Sequence, residues 1–99
     1  MEISKQVEGT SAVIKLAGQL DLSASNEVKK YFDAQLVGVK DLTLDLSELT
    51  YVASAGLRVL FMTQKKMSKI GTMKLVNVRS EVLKVLEVTR FVDYFRIEN

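Results

Sequence analysis

Apolar and polar residues alternate in short runs along this chain, and between those runs the apolar residues recur every three or four positions. Alternation sends successive side chains to opposite faces of a strand, whereas the wider spacing builds one face of a helix. Ala12, Ile14 and Leu16, interleaved with Val13, Lys15 and Ala17, predict a strand ending at Gly18. A weaker strand over Met1 to Val7 precedes it. Glu8-Gly9-Thr10-Ser11 supplies hairpin turn chemistry, so the first two strands are expected to be antiparallel neighbours. After Gly18-Gln19-Leu20-Asp21, Ser23 or Ser25 can cap a helix carried by Val28, Tyr31, Phe32, Gln35 and Leu36, which should stop near Gly38.

Leu42, Leu44 and Leu46, alternating with Thr43 and Asp45, predict a strand with one strongly apolar face. A second helix begins at Ser54 to Gly56, with Leu57, Leu60, Phe61 and Gln64 to Lys65 marking its inner stripe and its nearer flank, and ends by Gly71. Lys65, Lys66 and Lys69 crowd its last turns, where cations complement the carbonyl end of the helix dipole. Met73 to Val78 reads as another strand. Ser80 then caps a third helix on Val82, Leu83, Val85 and Leu86, and Phe91 to Ile97 fits either a short helix or an edge strand. This order predicts an α/β domain. Its sheet is mixed and mainly parallel, of about four or five strands, with an antiparallel N-terminal edge strand and packed helices.

Composition narrows the chemistry. With 99 residues, of which 47% are hydrophobic, the chain suits a single folded domain spanning 1–99. A net charge of +2 gives no field to gather nucleic acid. No cysteine and no histidine are present, which removes thiol catalysis and the commonest metal ligand and general base. No glycine-rich phosphate loop with its lysine occurs, so no catalytic residue, metal or cofactor is expected, and the protein is read as a non-enzyme. Met1-Glu2-Ile3-Ser4-Lys5 opens no apolar segment of signal-peptide length, and no run approaches a membrane span, so a cytoplasmic location without membrane insertion is expected.

In parallel sheets the carboxyl ends of the strands share one rim, and sites favour that rim. Here it would gather Gly18 to Ser23, Ser47 to Gly56 and Asn77 to Ser80, bringing Asp21 and Ser54 to one edge. Ser54 would stand where a helix offers unpaired N–H groups and partial positive charge, a setting that tolerates a phosphate. A serine before a helix is also an ordinary cap, here accepting the Leu57 N–H. Ala55 and Gly56 leave the backbone nearly bare beside the hydroxyl, which would let a second protein approach, and Arg58 lies one turn on, able to pair with phosphate. Asp21 is either a partner-contacting carboxylate or a helix cap, and Asp45 and Ser47 are expected to satisfy backbone groups where their strand ends.

The run Asp45-Leu46-Ser47-Glu48-Leu49-Thr50-Tyr51-Val52-Ala53-Ser54-Ala55-Gly56-Leu57-Arg58-Val59-Leu60 resembles the signature segment of STAS domains of the bacterial anti-sigma factor antagonist type. Gly18-Gln19-Leu20-Asp21 resembles that family's turn after its second strand, and Leu75-Val76-Asn77-Val78 with Val82, Leu83 and Leu86 resembles its C-terminal half. The resemblance implies a partner-switching regulator. Unphosphorylated, it binds an anti-sigma factor with an ATP-binding serine kinase fold and frees a sigma factor; phosphorylated at Ser54, it lets go, and a phosphatase resets it. The implied contact residues are Asp21, Leu22, Ser23, Ala53, Ala55, Gly56, Leu57 and Arg58, and the free protein is expected to be a monomer. Members of the family often carry aspartate immediately before the acceptor serine, where this chain has Ala53. The other reading of the same resemblance is a STAS subunit of a membrane-associated assembly such as a lipid transporter, with Ser54 unphosphorylated.

Overall fold

A computed structural model describes residues 1–99. Five strands lie side by side in chain order: β1 Glu2–Glu8, β2 Ser11–Leu20, β3 Asp41–Val52, β4 Thr72–Val76 and β5 Arg96–Glu98. β1 is antiparallel to β2, and the remaining neighbours are parallel. The crossovers are made by α1 Leu22–Gln35, α2 Ser54–Ser68 and α3 Ser80–Val88. Connections between parallel strands are almost always right-handed, so a strand order that advances in one direction puts every crossover helix on one face. The burial pattern has that form. Ile14, Leu16, Leu42, Leu44, Leu46, Met73 and Leu75 are buried, while Val13, Lys15, Thr43, Asp45 and Lys74 between them are not. Each of those large side chains contributes roughly 1.5–3 kcal/mol by leaving water. The open face is polar and carries the ion pairs Lys15–Glu48 and Lys74–Glu98.

Several expectations change at this level. The Phe91 to Ile97 tail is both alternatives in sequence, a 3-10 turn at Phe91–Tyr94 followed by β5 at the sheet edge. Neither Ser23 nor Ser25 caps α1; Asp21 does, its Oδ1 accepting the Ala24 N–H at 2.9 Å. Ser80 is the first residue of α3, and Arg79 takes the cap position. The buried stripe of α2 is Gly56, Leu57, Leu60, Thr63 and Met67, so Phe61 and Gln64 sit on its flank and Lys65 is exposed. Thr63 fits the stripe because its hydroxyl donates back to the Val59 carbonyl at 2.7 Å.

The largest difference is the length of β2 and β3. β2 passes through Gly18 to Leu20, and β3 passes beyond Leu46 to Val52, so Ser47 to Val52 is strand rather than loop. Past Asp45, β3 outruns β4 and pairs only with β2. Lys15 faces Asp45 but Ala17 faces Glu48, and Gly18 faces Leu49 but Gln19 faces Tyr51, so each step leaves one extra residue on β3. These bulges explain why the buried positions run Leu42, Leu44, Leu46 and then Leu49 and Val52. Gly18 has φ +118°, a conformation closed to residues with side chains. Asp45 does serve a backbone group as expected, accepting the Ser47 N–H at 2.9 Å, but inside the strand, with an Asn77 amide N–H at 3.4 Å.

Desolvation alone would raise the Asp45 carboxyl, yet the hydrogen bonds from Ser47 and Asn77 hold it below its ordinary value of 3.8. A folded pKa below the unfolded one means that the stabilisation is complete above the unfolded value and is lost as pH falls through the folded one. The stability gap between wild type and Asp45→Asn should therefore be full at neutral pH and shrink below about pH 4. Urea unfolding at pH 7 and pH 3 checks this; an equal gap at both contradicts it.

Candidate functional site

The link from β3 to α2 is a single residue. Ala53 is extended, with φ −87° and ψ 169°; its N–H donates to the Leu20 carbonyl at 2.9 Å, and its own carbonyl accepts the Leu57 N–H at 3.0 Å. Since Leu20 also pairs with Val52, the residue before Asp21 and the residues before Ser54 are held together at the rim, as the topology requires. Ser54 is the first helical residue and is exposed. It does not cap the helix by accepting the Leu57 N–H, because the Ala53 carbonyl already takes that donor and α2 has no side-chain cap at all. The N–H groups of Ser54, Ala55 and Gly56 precede the first bond of the helical ladder, so the partial positive charge of this terminus is left open around the hydroxyl.

Gly56 faces inward. A Cβ there would lie 2.6 Å from Leu20 Cγ and 3.0 Å from the Leu20 carbonyl oxygen. Gly56 and Leu57 are buried, which corrects their expected place on a contact surface: the small residue lets α2 approach its own sheet, not a partner. Ala53 and Ala55 are half-buried, and Arg58 is exposed. Asp21 is exposed while capping α1, and Leu22 and Ser23 beside it are exposed too, Leu22 to 67%.

Ser54, Ala55 and Arg58 share a cleft of about 340 Å³ with Asn26 and Lys29 from α1. Arg58 has no carboxylate partner, whereas Lys29 pairs with Asp33 at 3.0 Å on an exposed face, a bond of small net strength. Two cations therefore flank the hydroxyl. Lys29 and Asn26 are absent from the sequence-based set, because nothing in the periodicity of α1 tells which of its polar residues meets α2. Tyr51, half exposed at the end of β3, lies next to Ala53 but does not line the cleft.

A family model, the STAS domain, matches residues 2–99. The chain belongs to the STAS domain family. Over 84 residues it is 31% identical to BtrV of Bordetella bronchiseptica, a protein assigned as an anti-sigma factor antagonist. That match takes in 84% of this chain and 66% of BtrV, so the chain spans just under two thirds of that relative. Its fold superposes on a Thermotoga maritima protein, assigned as an anti-sigma factor antagonist, with a TM-score of 0.89 at 23% identity, covering 98% of this chain and 86% of that one. Unphosphorylated SpoIIAA, an anti-sigma factor antagonist, gives a TM-score of 0.83 at 18% identity, covering 99% and 89%. The phosphorylated form of Bacillus SpoIIAA gives 0.76 at 17%, covering 99% and 92%. At such identities the structural likeness is one of fold, and it bears out the mixed sheet read from the sequence. No helix of this STAS domain is long and apolar enough to cross a membrane.

Two substitutions test the local geometry. Gly56→Ala gains about 1 kcal/mol of helix propensity but forces a methyl into Leu20, an overpacking cost of about 1–3 kcal/mol. A lower thermal midpoint is expected, and a higher one contradicts the packing. Ala53→Asp places an acceptor at the uncapped terminus and should stabilise by about 0.5–2 kcal/mol, read as a raised midpoint; an unchanged midpoint contradicts the open N–H groups.

Proposed function

We propose that this STAS domain is a partner-switching antagonist of an anti-sigma factor, with Ser54 as the phosphate acceptor that ends the complex. The observation that carries this reading is the exposed Ser54 hydroxyl on an uncapped helix N-terminus, with Arg58 and Lys29 in the same cleft. The name of its relative BtrV points to the same role. The partner is an anti-sigma factor with an ATP-binding serine kinase fold, which captures the unphosphorylated domain through the rim bearing Asp21, Leu22, Ser23 and Arg58. A phosphatase resets the serine. The domain itself is a substrate and binder rather than a catalyst.

Phosphorylation transfers the γ-phosphoryl group of ATP to Ser54 Oγ, breaking the bond to the leaving ADP oxygen as the hydroxyl proton departs. The product carries a charge of about −1.5 to −2 and three strong acceptor oxygens. Within the free domain those oxygens meet the N–H groups of Ala55 and Gly56 and the Arg58 guanidinium, so the scaffold gains partners without rearranging. Pressed against another protein, the same charge must lose its water. An uncompensated cost of roughly 3 kcal/mol lowers affinity about a hundredfold.

Incubation with the partner kinase and ATP, followed by mass spectrometric mapping, should place phosphate on Ser54. Ser54→Ala should bind the kinase and stay unmodified, and Ser54→Asp should bind at least about tenfold more weakly with an unchanged thermal midpoint. A domain that never acquires phosphate, and that copurifies with a transporter ATPase instead, contradicts the proposal and favours the structural-subunit reading.

A further inference from the structure

The groove between α1 and α2 lies next to the Ser54 cleft but opens along the helices, away from the rim. It is a half-open groove of about 740 Å³, within the range of roughly 300–1,000 Å³ typical of small-molecule sites. Its walls are apolar: Phe32 and Leu36 of α1, Val59, Phe61 and Met62 of α2, and Phe91 from the 3-10 turn. Phe32 and Leu36 are only 3% and 5% exposed and form its floor, so an occupant rests mainly on Val59, Phe61, Met62 and Phe91. Met62, by contrast, leaves 55% of its surface open at the mouth. The one hydroxyl lining the groove, on Thr63, is already committed to the Val59 carbonyl.

Charge at the edge of the groove is one-sided. Lys29, Arg58 and Lys66 line it against the single carboxylate of Asp33, which pairs with Lys29. Arg58 and Lys66 have no acidic partner anywhere in the protein. They stand eight residues apart on α2, about 12 Å along its axis, so they can hold an acidic group near either end of the apolar stretch. An apolar slot bordered by unpaired cations is complementary to a molecule with one apolar chain and one acidic head.

We propose that this groove is a binding site for a single-chain anionic amphiphile, its alkyl chain against Val59, Met62 and Phe91 and its acidic group on Lys66, the unpaired cation outside the Ser54 cleft. A neutral chain leaves the cations unused. The groove shares Lys29, Arg58 and Val59 with the Ser54 cleft but does not require that Ser54 be modified.

The test titrates the unphosphorylated protein with decanoate, below its micelle concentration, following amide and methyl NMR signals, with 1-decanol as the uncharged probe of equal chain length. Decanoate should bind saturably with perturbations centred on Val59, Met62 and Phe91, and at least about tenfold more tightly than decanol. Lys66→Gln and Met62→Glu, both at exposed positions outside the Ser54 cleft, should each weaken decanoate by about tenfold or more. Absence of saturable shifts, shifts outside the groove, equal binding of decanol, or indifference to both substitutions would overturn the proposal. So would a groove that responds only to a protein partner. Since neither kinase nor ATP is present, these failures leave the reading of Ser54 untouched.

Discussion

The seat of Gly56 on Leu20 is the contact on which this molecule's surface chemistry depends. Leu20 ends β2, is fully buried, and fills the space where any larger residue at position 56 would stand. Its carbonyl holds the Ala53 N–H, so the same residue fixes both the packing of α2 and the direction in which its first turn leaves the sheet. With Gly56 and Leu57 turned inward, the 3.6-residue period leaves Ser54 and Arg58 on the outer side. An exposed hydroxyl at a helix terminus is thus a consequence of core packing two residues further on.

That placement separates the consequences of a charge for the scaffold from its consequences for a partner. The open N–H groups at the start of α2 and the unpaired Arg58 form a setting that favours an anion. The core of 23 packed apolar residues, Leu57 among them, lies inward of Ser54. On the proposed function, a protein surface docked over the same terminus offers no such compensation. A residue can therefore govern association strongly while contributing little to stability.

Most of the architecture was legible because one sheet face is open. Leu42, Leu44 and Leu46 alternate cleanly with Thr43 and Asp45 only where one side meets water, and the three-and-four spacing of Val28, Phe32 and Leu36 marks α1 as plainly. The ends of β2 and β3 were not legible. Bulges shift the period at Leu49 and Val52, and Gly18 looks like a terminator although it is the residue that lets the strand continue. At the site, Ser54, Asp21 and Arg58 could be found from local sequence, since helix starts have local signatures. The inward turn of Gly56 and the approach of Lys29 could not, because the first depends on how α2 packs on Leu20 at the end of β2 and the second on how α1 lies beside α2, contacts between residues far apart in the chain.

The measurement that bears most directly on a locally absorbed charge is an NMR titration of the domain carrying genetically encoded phosphoserine at position 54. Phosphorus signals should report a second phosphate pKa below its ordinary value of about 6, with amide shifts confined to the first turn of α2 and the facing part of α1. A phosphate that titrates as it does in water, with shifts spreading through Leu20 into β2 and β3, would contradict the picture of a scaffold that accepts the dianion unchanged.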